Sequence, residues 1–101
     1  MESKTPLIGT ADQIAWARQI RTRVNAEFDR VARGLEGTAA KRSGQNQVNT
    51  YTMISILEEK RAEVMANPEA GYFIHDWQEM YDQVRQMMIK DVRYQAIKAG
   101  M

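Results

Sequence analysis

The single histidine, His75, stands four residues before Glu79 and seven before Asp82. That spacing sets an imidazole and two carboxylates along one side of a helix, a set that could in principle hold a divalent cation. All three project away from the apolar stripe of their segment, and one imidazole with two solvated carboxylates falls short of the ligand geometry a metal site demands, so no metal is expected. Glu58, Glu59 and Glu63 form a second carboxylate group. Acid–base work needs an apolar pocket that splits the carboxyl pKa values; here Lys60 and Arg61 are interleaved, which reads as a charged helix surface. Ser43-Gly44 lies in a polar stretch rather than a Gly-x-Ser-x-Gly elbow, and Gly34, Gly37 and Gly44 are too widely spaced for a phosphate loop. Cysteine is absent, which removes thiolate nucleophiles, disulfides and Cys-based zinc sites. No catalytic residue, metal or cofactor is therefore assigned, and the chain reads as non-enzymatic.

The arginines carry the strongest signal for a partner. Arg23 and Arg30 are seven residues apart on one helical face, about 10 Å along the axis. Arg33, Lys41 and Arg42 extend this set toward a polar connection. Glu27 and Asp29 intervene, and Asp29–Arg33 is a favourable i, i+4 pair. Net charge is only +1; residues 1–50 hold eight Lys/Arg against five Asp/Glu, and residues 51–101 hold six against eight. Such a balance fits a protein contact better than a nucleic-acid footprint. A nucleic-acid-binding accessory protein using the arginine face is the alternative.

Three helical segments must position these groups. Thr10 and Gln13 are spaced as a capping box. Behind them Ala17, Ile20, Val24, Phe28, Val31 and Leu35 recur at helical steps, predicting a helix over about 11–33. Trp16 lies at the edge of this stripe, an aromatic suited to locking helices together. Residues 1–10, with Pro6 and Gly9, read as an arm; 11–101 read as one helical domain with a mobile 34–47 linker, Gly34 closing the first helix. The second helix is expected from about Val48 to Ala66, stopped by Asn67-Pro68. Asn67 as N-cap and Pro68 at the first helical position then start a third, reaching toward Lys98. Phe73, Ile74, Trp77, Met80, Tyr81, Val84, Met87, Met88 and Val92 make one stripe along it, with a break admitted near 71–76. The fold class is all-α, a small bundle of three main helices.

Gln13-Ile14-Ala15-Trp16-Ala17-Arg18-Gln19-Ile20-Arg21 resembles the Gln-Ile-x-Trp-Ala-x-x-Ile-Arg pattern of small proteins encoded on bacterial plasmids, integrative elements and phages. Ala70-Gly71-Tyr72-Phe73-Ile74-His75-Asp76 looks like a relative of their second, aromatic motif, with His75 inserted and Trp77-Gln78 where an arginine would follow. The resemblance covers about a quarter of the chain. It implies a helical fold and a mobile-element origin, and brings no catalytic residues. Small phage proteins that block host defence nucleases, anti-CRISPR proteins included, are the class it brings forward, an inference by association.

Two further expectations follow from apolar patterning. Met87, Met88 and Ile89 in succession, with Ile56 on a helix whose apolar set covers half its circumference, exceed what one contact face needs. A homodimer through these residues is the expected use of that surplus. No apolar run approaches the roughly 20 residues of a membrane span, and Met1-Glu2-Ser3-Lys4 leads into no signal-peptide hydrophobic region, so a cytoplasmic, non-membrane protein is expected. The predicted function is thus that of a mobile-element interaction protein that binds a host or self-encoded macromolecule.

Overall fold

The computed structural model describes residues 6–101. Five helices and no strands are present among them: α1 (Ala11–Ala40), α2 (Gly44–Met65), α3 (Ala70–Asp76), α4 (Met80–Ile89) and α5 (Val92–Ala99). The all-α expectation holds, whereas the three-helix count does not. No helix is long and apolar enough to cross a membrane.

The capping box forms as spaced. Thr10 Oγ1 accepts from the Gln13 amide at 3.2 Å, and Gln13 Oε1 accepts from the Thr10 amide at 2.9 Å. The helix does not stop at Gly34. The buried stripe of Val24, Phe28 and Ala32 is continued by half-buried Leu35 and buried Ala39, so packing carries the helix past both glycines. The 34–47 connection shrinks to residues 41–43. Gly44, at φ +59°, makes the turn into α2 at a backbone conformation L side chains rarely adopt. Gln47 Nε2 donates to the Ala39 carbonyl at 3.1 Å, which also accepts from the Arg42 amide, and the Arg42 side chain donates to the Thr50 hydroxyl at 3.0 Å, closing the hairpin.

α1 and α2 form a long antiparallel pair, and the short helices pack onto it; α2 also touches α4 and α5. This explains the wide apolar arc of α2 without a dimer. Met53, Leu57 and Val64 share one stripe with Thr50, while Ile56 points about 100° away from Leu57 and is also buried. Arg61 reinforces the hairpin, with Asn25 and Asp29 of α1 and Glu58 of α2 as partners, its guanidinium 5.9 Å from the Phe28 ring centroid.

The restart after α2 is displaced by a contact with the chain start. Ile8 pairs in parallel with Glu69: its amide donates to the Pro68 carbonyl at 2.7 Å and its carbonyl accepts from the Ala70 amide at 3.0 Å. Glu69 is consequently extended, and α3 begins at Ala70 rather than Pro68. Asn67 Oδ1 accepts from the Glu69 amide instead of capping a helix at Pro68. Leu7 is buried in the core, so the inner part of the arm lies against the body; residues 1–5 of the arm lie outside the described residues.

The third segment breaks at 77–79, just beyond the expected 71–76. Trp77 leaves helical geometry (φ −112°, ψ 53°) and buries its indole, 6.2 Å from the Phe28 centroid and 6.5 Å from Tyr72. Gln83 spans the break, accepting from the Glu79 amide and donating to the Asp76 carbonyl. A second interruption at Lys90-Asp91 starts α5, whose first turn is capped by the Asp91 carboxylate through the Arg93 amide at 2.8 Å.

Gly34 and Gly37 sit inside α1 with no atom within 4 Å of where a Cβ would stand. Glycine in a helix interior is less favourable than alanine by about 0.5–1 kcal/mol. Gly34→Ala and Gly37→Ala should each raise unfolding free energy by about that amount in a denaturant titration; a loss of stability at either would contradict the uninterrupted helix.

Candidate functional site

Two faces of α1 are used differently. One carries the core stripe. About 100° around the helix from Val24, Trp16, Ile20, Arg23, Glu27 and Arg30 follow one another at steps of three and four. This second face meets α3, the break and α4, and the seam between them carries three neighbouring grooves that share lining residues and together form a trough. The first, about 500 Å³, lies between Trp16, Ile20 and Arg23 on α1 and Ile74, Trp77 and Met80 opposite. It shares Arg23 and Met80 with a middle groove of about 300 Å³, which in turn shares Arg30 and Tyr81 with a third of about 360 Å³. That last groove ends against Leu35, Ile89 and Tyr94. From Trp16 to Leu35 the trough follows α1 for about 28 Å at 1.5 Å per residue.

Its walls mix exposed aromatics with cations. Trp16 is 57% exposed and Tyr81 72%. Trp16 is therefore a surface residue, and its expected role as a helix-locking anchor falls to Trp77, which is 4% exposed. Arg30 donates through both Nε and Nη2 to the Glu27 carboxylate, which is nearly buried, and lies 5.8 Å from the Tyr81 ring centroid. That carboxylate pushes the Arg30 guanidinium pKa up, first by hydrogen bonding and then by its charge. Arg85, across the trough, pairs with Asp82 at 2.8 Å. Arg23 makes no hydrogen bond or ion pair among the described residues and is exposed at the junction of two grooves.

The five cations read from the sequence do not form one patch. Arg23 and Arg30 line the trough, and Arg33 is exposed about 60° further around α1. Lys41 and Arg42 are at the hairpin tip, with Arg42 occupied by Thr50. The four proposed self-association residues also separate. Ile56 and Met88 are core residues at 2% and 4% exposure, although Met88 also borders the third groove. Met87 lines a different groove beside Tyr72 and Lys90, while Ile89 lines the trough. Their adjacency in sequence is spent on packing in several directions within one chain.

Sequence spacing alone does not mark Tyr81, Arg85 and Tyr94 as site residues. A continuous third helix puts Tyr81 in its apolar stripe, whereas on α4 Tyr81, Arg85 and Ile89, spaced i, i+4, i+8, form an exposed stripe of their own.

Of the carboxylates at 58, 59 and 63, the first two are engaged in ion pairs. Glu58 pairs with Arg61. Glu59 accepts from Arg93 at 2.9 and 3.2 Å, and Asp91 accepts from Arg93 and from Lys60, tying the start of α5 to α2. His75 is exposed on the trough rim. No cluster of three or more His, Cys, Asp or Glu capable of holding a metal occurs among the described residues. No protein-family model matches the chain, and neither the curated proteins nor the solved structures give a significant match.

The ties at Asp91 carry a pH signature. Hydrogen bonds from Arg93 and then Lys60 hold its carboxyl well below its ordinary value of 3.8. A carboxyl depressed on folding adds stability above its unfolded pKa and loses it as pH falls through the folded value. A carbon-13 NMR titration should therefore show the Asp91 carboxylate still ionised at pH 3, with α5 amide protection declining only below about pH 4. A titration midpoint near 3.8 would contradict the tie.

Proposed function

We propose that this chain is a non-enzymatic interaction protein of a mobile element, which acts by seating a surface of a protein partner in the α1–α4 trough. The observation that carries the reading is the exposure of Trp16 and Tyr81 on the walls of a preformed apolar trough. Large aromatics flanked by arginine are the residue types that dominate binding energy at protein interfaces. A concave seam about 28 Å long offers them to a partner without refolding. Blocking a host defence complex, in the manner of anti-CRISPR proteins, is the activity the sequence resemblance adds. It is carried by association with mobile-element proteins and by the small size of the chain.

Two other readings compete for the same residues. Arginines interleaved with aromatics also suit single-stranded nucleic acid. Against this, Arg30 and Arg85 are already paired with carboxylates, which leaves Arg23 as the trough cation with no such partner among the described residues. Self-association would use Tyr81 and Ile89, both exposed. Light scattering at tens of micromolar separates it, since the protein-partner reading expects a monomer mass.

The direct test is affinity capture from host lysate with the wild type, Trp16→Ala/Tyr81→Ala, and a control pair at exposed residues elsewhere, Val48→Ala/Tyr51→Ala. The expected outcome is a discrete protein retained by wild type and control and lost at least tenfold with the trough variant. Trp16→Ala should cost under about 1 kcal/mol of stability, as expected for a surface substitution. Equal retention by the trough variant would overturn the reading, as would retention that nuclease treatment abolishes.

A further inference from the structure

We infer that the occupant of the trough is an acidic amphipathic α-helix of the partner protein, laid along α1. The inference rests on the trough being the docking surface and adds what fills it. Shape is the first argument. The three grooves follow one another along a single helix, each sharing lining residues with the next, rather than converging on a pocket. A rod about 28 Å long spans them, which is about five helical turns. The floor is apolar, with half-buried Ile20, Val31, Leu35 and Met80 spaced along it, as a helix presenting anchors at i, i+3/i+4 and i+7 requires.

Charge decides the chemistry of that helix. Arg23 and Arg30 stand on one wall and Arg85 on the other. Of the carboxylates beside them, Glu27 is buried beneath Arg30 and Asp82 is exposed but paired with Arg85, so Arg23 is the trough cation that no carboxylate offsets among the described residues. Glu or Asp flanking an apolar stripe would meet Arg23 with all its donors free, and the donors that Arg30 and Arg85 do not spend on Glu27 and Asp82. A basic helix would meet the same cations at a cost of like-charge contact. A second copy of this chain meets a similar objection, because isologous pairing of the trough sets its own arginines on both sides of the interface. Nucleic acid would gain only about three phosphate contacts here, too few for a dominant electrostatic term.

Gly34 lies one turn beyond Arg30 on this face, with open space where its side chain would stand. Gly34 lines none of the three grooves, but the open surface there would admit the backbone of a helix packed along this face of α1. A Leu at position 34 fills it while improving helix propensity, so stability and binding should move in opposite directions.

Three probes test the inference: a designed 20-residue amphipathic peptide with a leucine stripe flanked by glutamates, its twin with lysines in place of the glutamates, and a dT20 oligonucleotide. Titrations follow Trp16 fluorescence and backbone amide shifts at low salt. The acidic peptide should bind at least tenfold more tightly than the basic one, shift amides along residues 16–35 and 80–89, and lose this preference in 0.5 M salt. Arg23→Glu with Arg85→Glu should invert the preference, and Gly34→Leu should weaken the acidic peptide at least fivefold without lowering stability. Equal or tighter binding of the basic peptide, preferential binding of dT20, or no peptide binding up to millimolar concentration would overturn the inference. If trough-dependent capture of a host protein nevertheless holds, the docking reading stands and only the acidic-helix occupant fails; capture indifferent to the trough removes both.

Discussion

Trp77 leaves its helix so that its indole can lie against Phe28, 6.2 Å between ring centroids, and that contact fixes the direction in which α4 departs. Burying an aromatic of 150–250 Å² contributes about 4–6 kcal/mol at 25 cal/mol/Å². Against this stand a broken helix and an indole N–H that finds no hydrogen-bond partner among the described residues, the latter costing about 1–3 kcal/mol. Packing wins. Gln83 limits the damage by bonding both ends of the break. Because the break turns α4, Tyr81, Arg85 and Ile89 face the outer side of α1 instead of the core. The trough is the space left between them.

The rest of the molecule divides into a stiff part and a tied part. The α1–α2 hairpin holds most of the core and is stitched by Arg61, whose guanidinium reaches three partners and covers the Phe28 ring. α5, by contrast, has no fully buried residue and is held by Tyr94, Ile97 and the Asp91–Arg93–Glu59–Lys60 ion pairs. Of these, Arg93–Glu59 is exposed, and such pairs contribute little individually and weaken with salt, whereas the Asp91 carboxylate is nearly buried between Lys60 and Arg93. Local opening should therefore concentrate in α5, which forms one end of the trough through Tyr94.

Much of the fold was legible in the residues. The capping box, the α1 stripe and the helical nature of all three segments follow from spacing alone. What spacing missed has physical causes. Gly34 and Gly37 look like stops, but the turns around them are carried by Leu35 and Ala39, a small apolar contact that periodicity undervalues. The Ile8–Glu69 bridge, which moves the start of α3, joins residues 61 positions apart and has no local signal. The lining of the trough is partly legible: the spacing of Arg23 and Arg30 sets them on one face, whereas the exposure of Tyr81, which a continuous helix would place in the apolar stripe, follows from the break at Trp77. The apolar surplus of Ile56 and Met88 was read as an interface between chains, while α2 and α4 absorb it within one.

The account turns on opposite placements of the two tryptophans: Trp77 inside, setting α4, and Trp16 outside, on the trough wall. Fluorine NMR of protein labelled with 5-fluorotryptophan reports both at once without altering the core, with Trp16→Phe assigning the signals. With a soluble gadolinium chelate added, one resonance should broaden strongly and belong to Trp16, while the Trp77 resonance stays sharp. Two protected resonances would contradict the exposure of Trp16 on the trough wall, and strong broadening of Trp77 with Trp16 shielded would contradict the packing of Trp77 against Phe28; either result removes the trough.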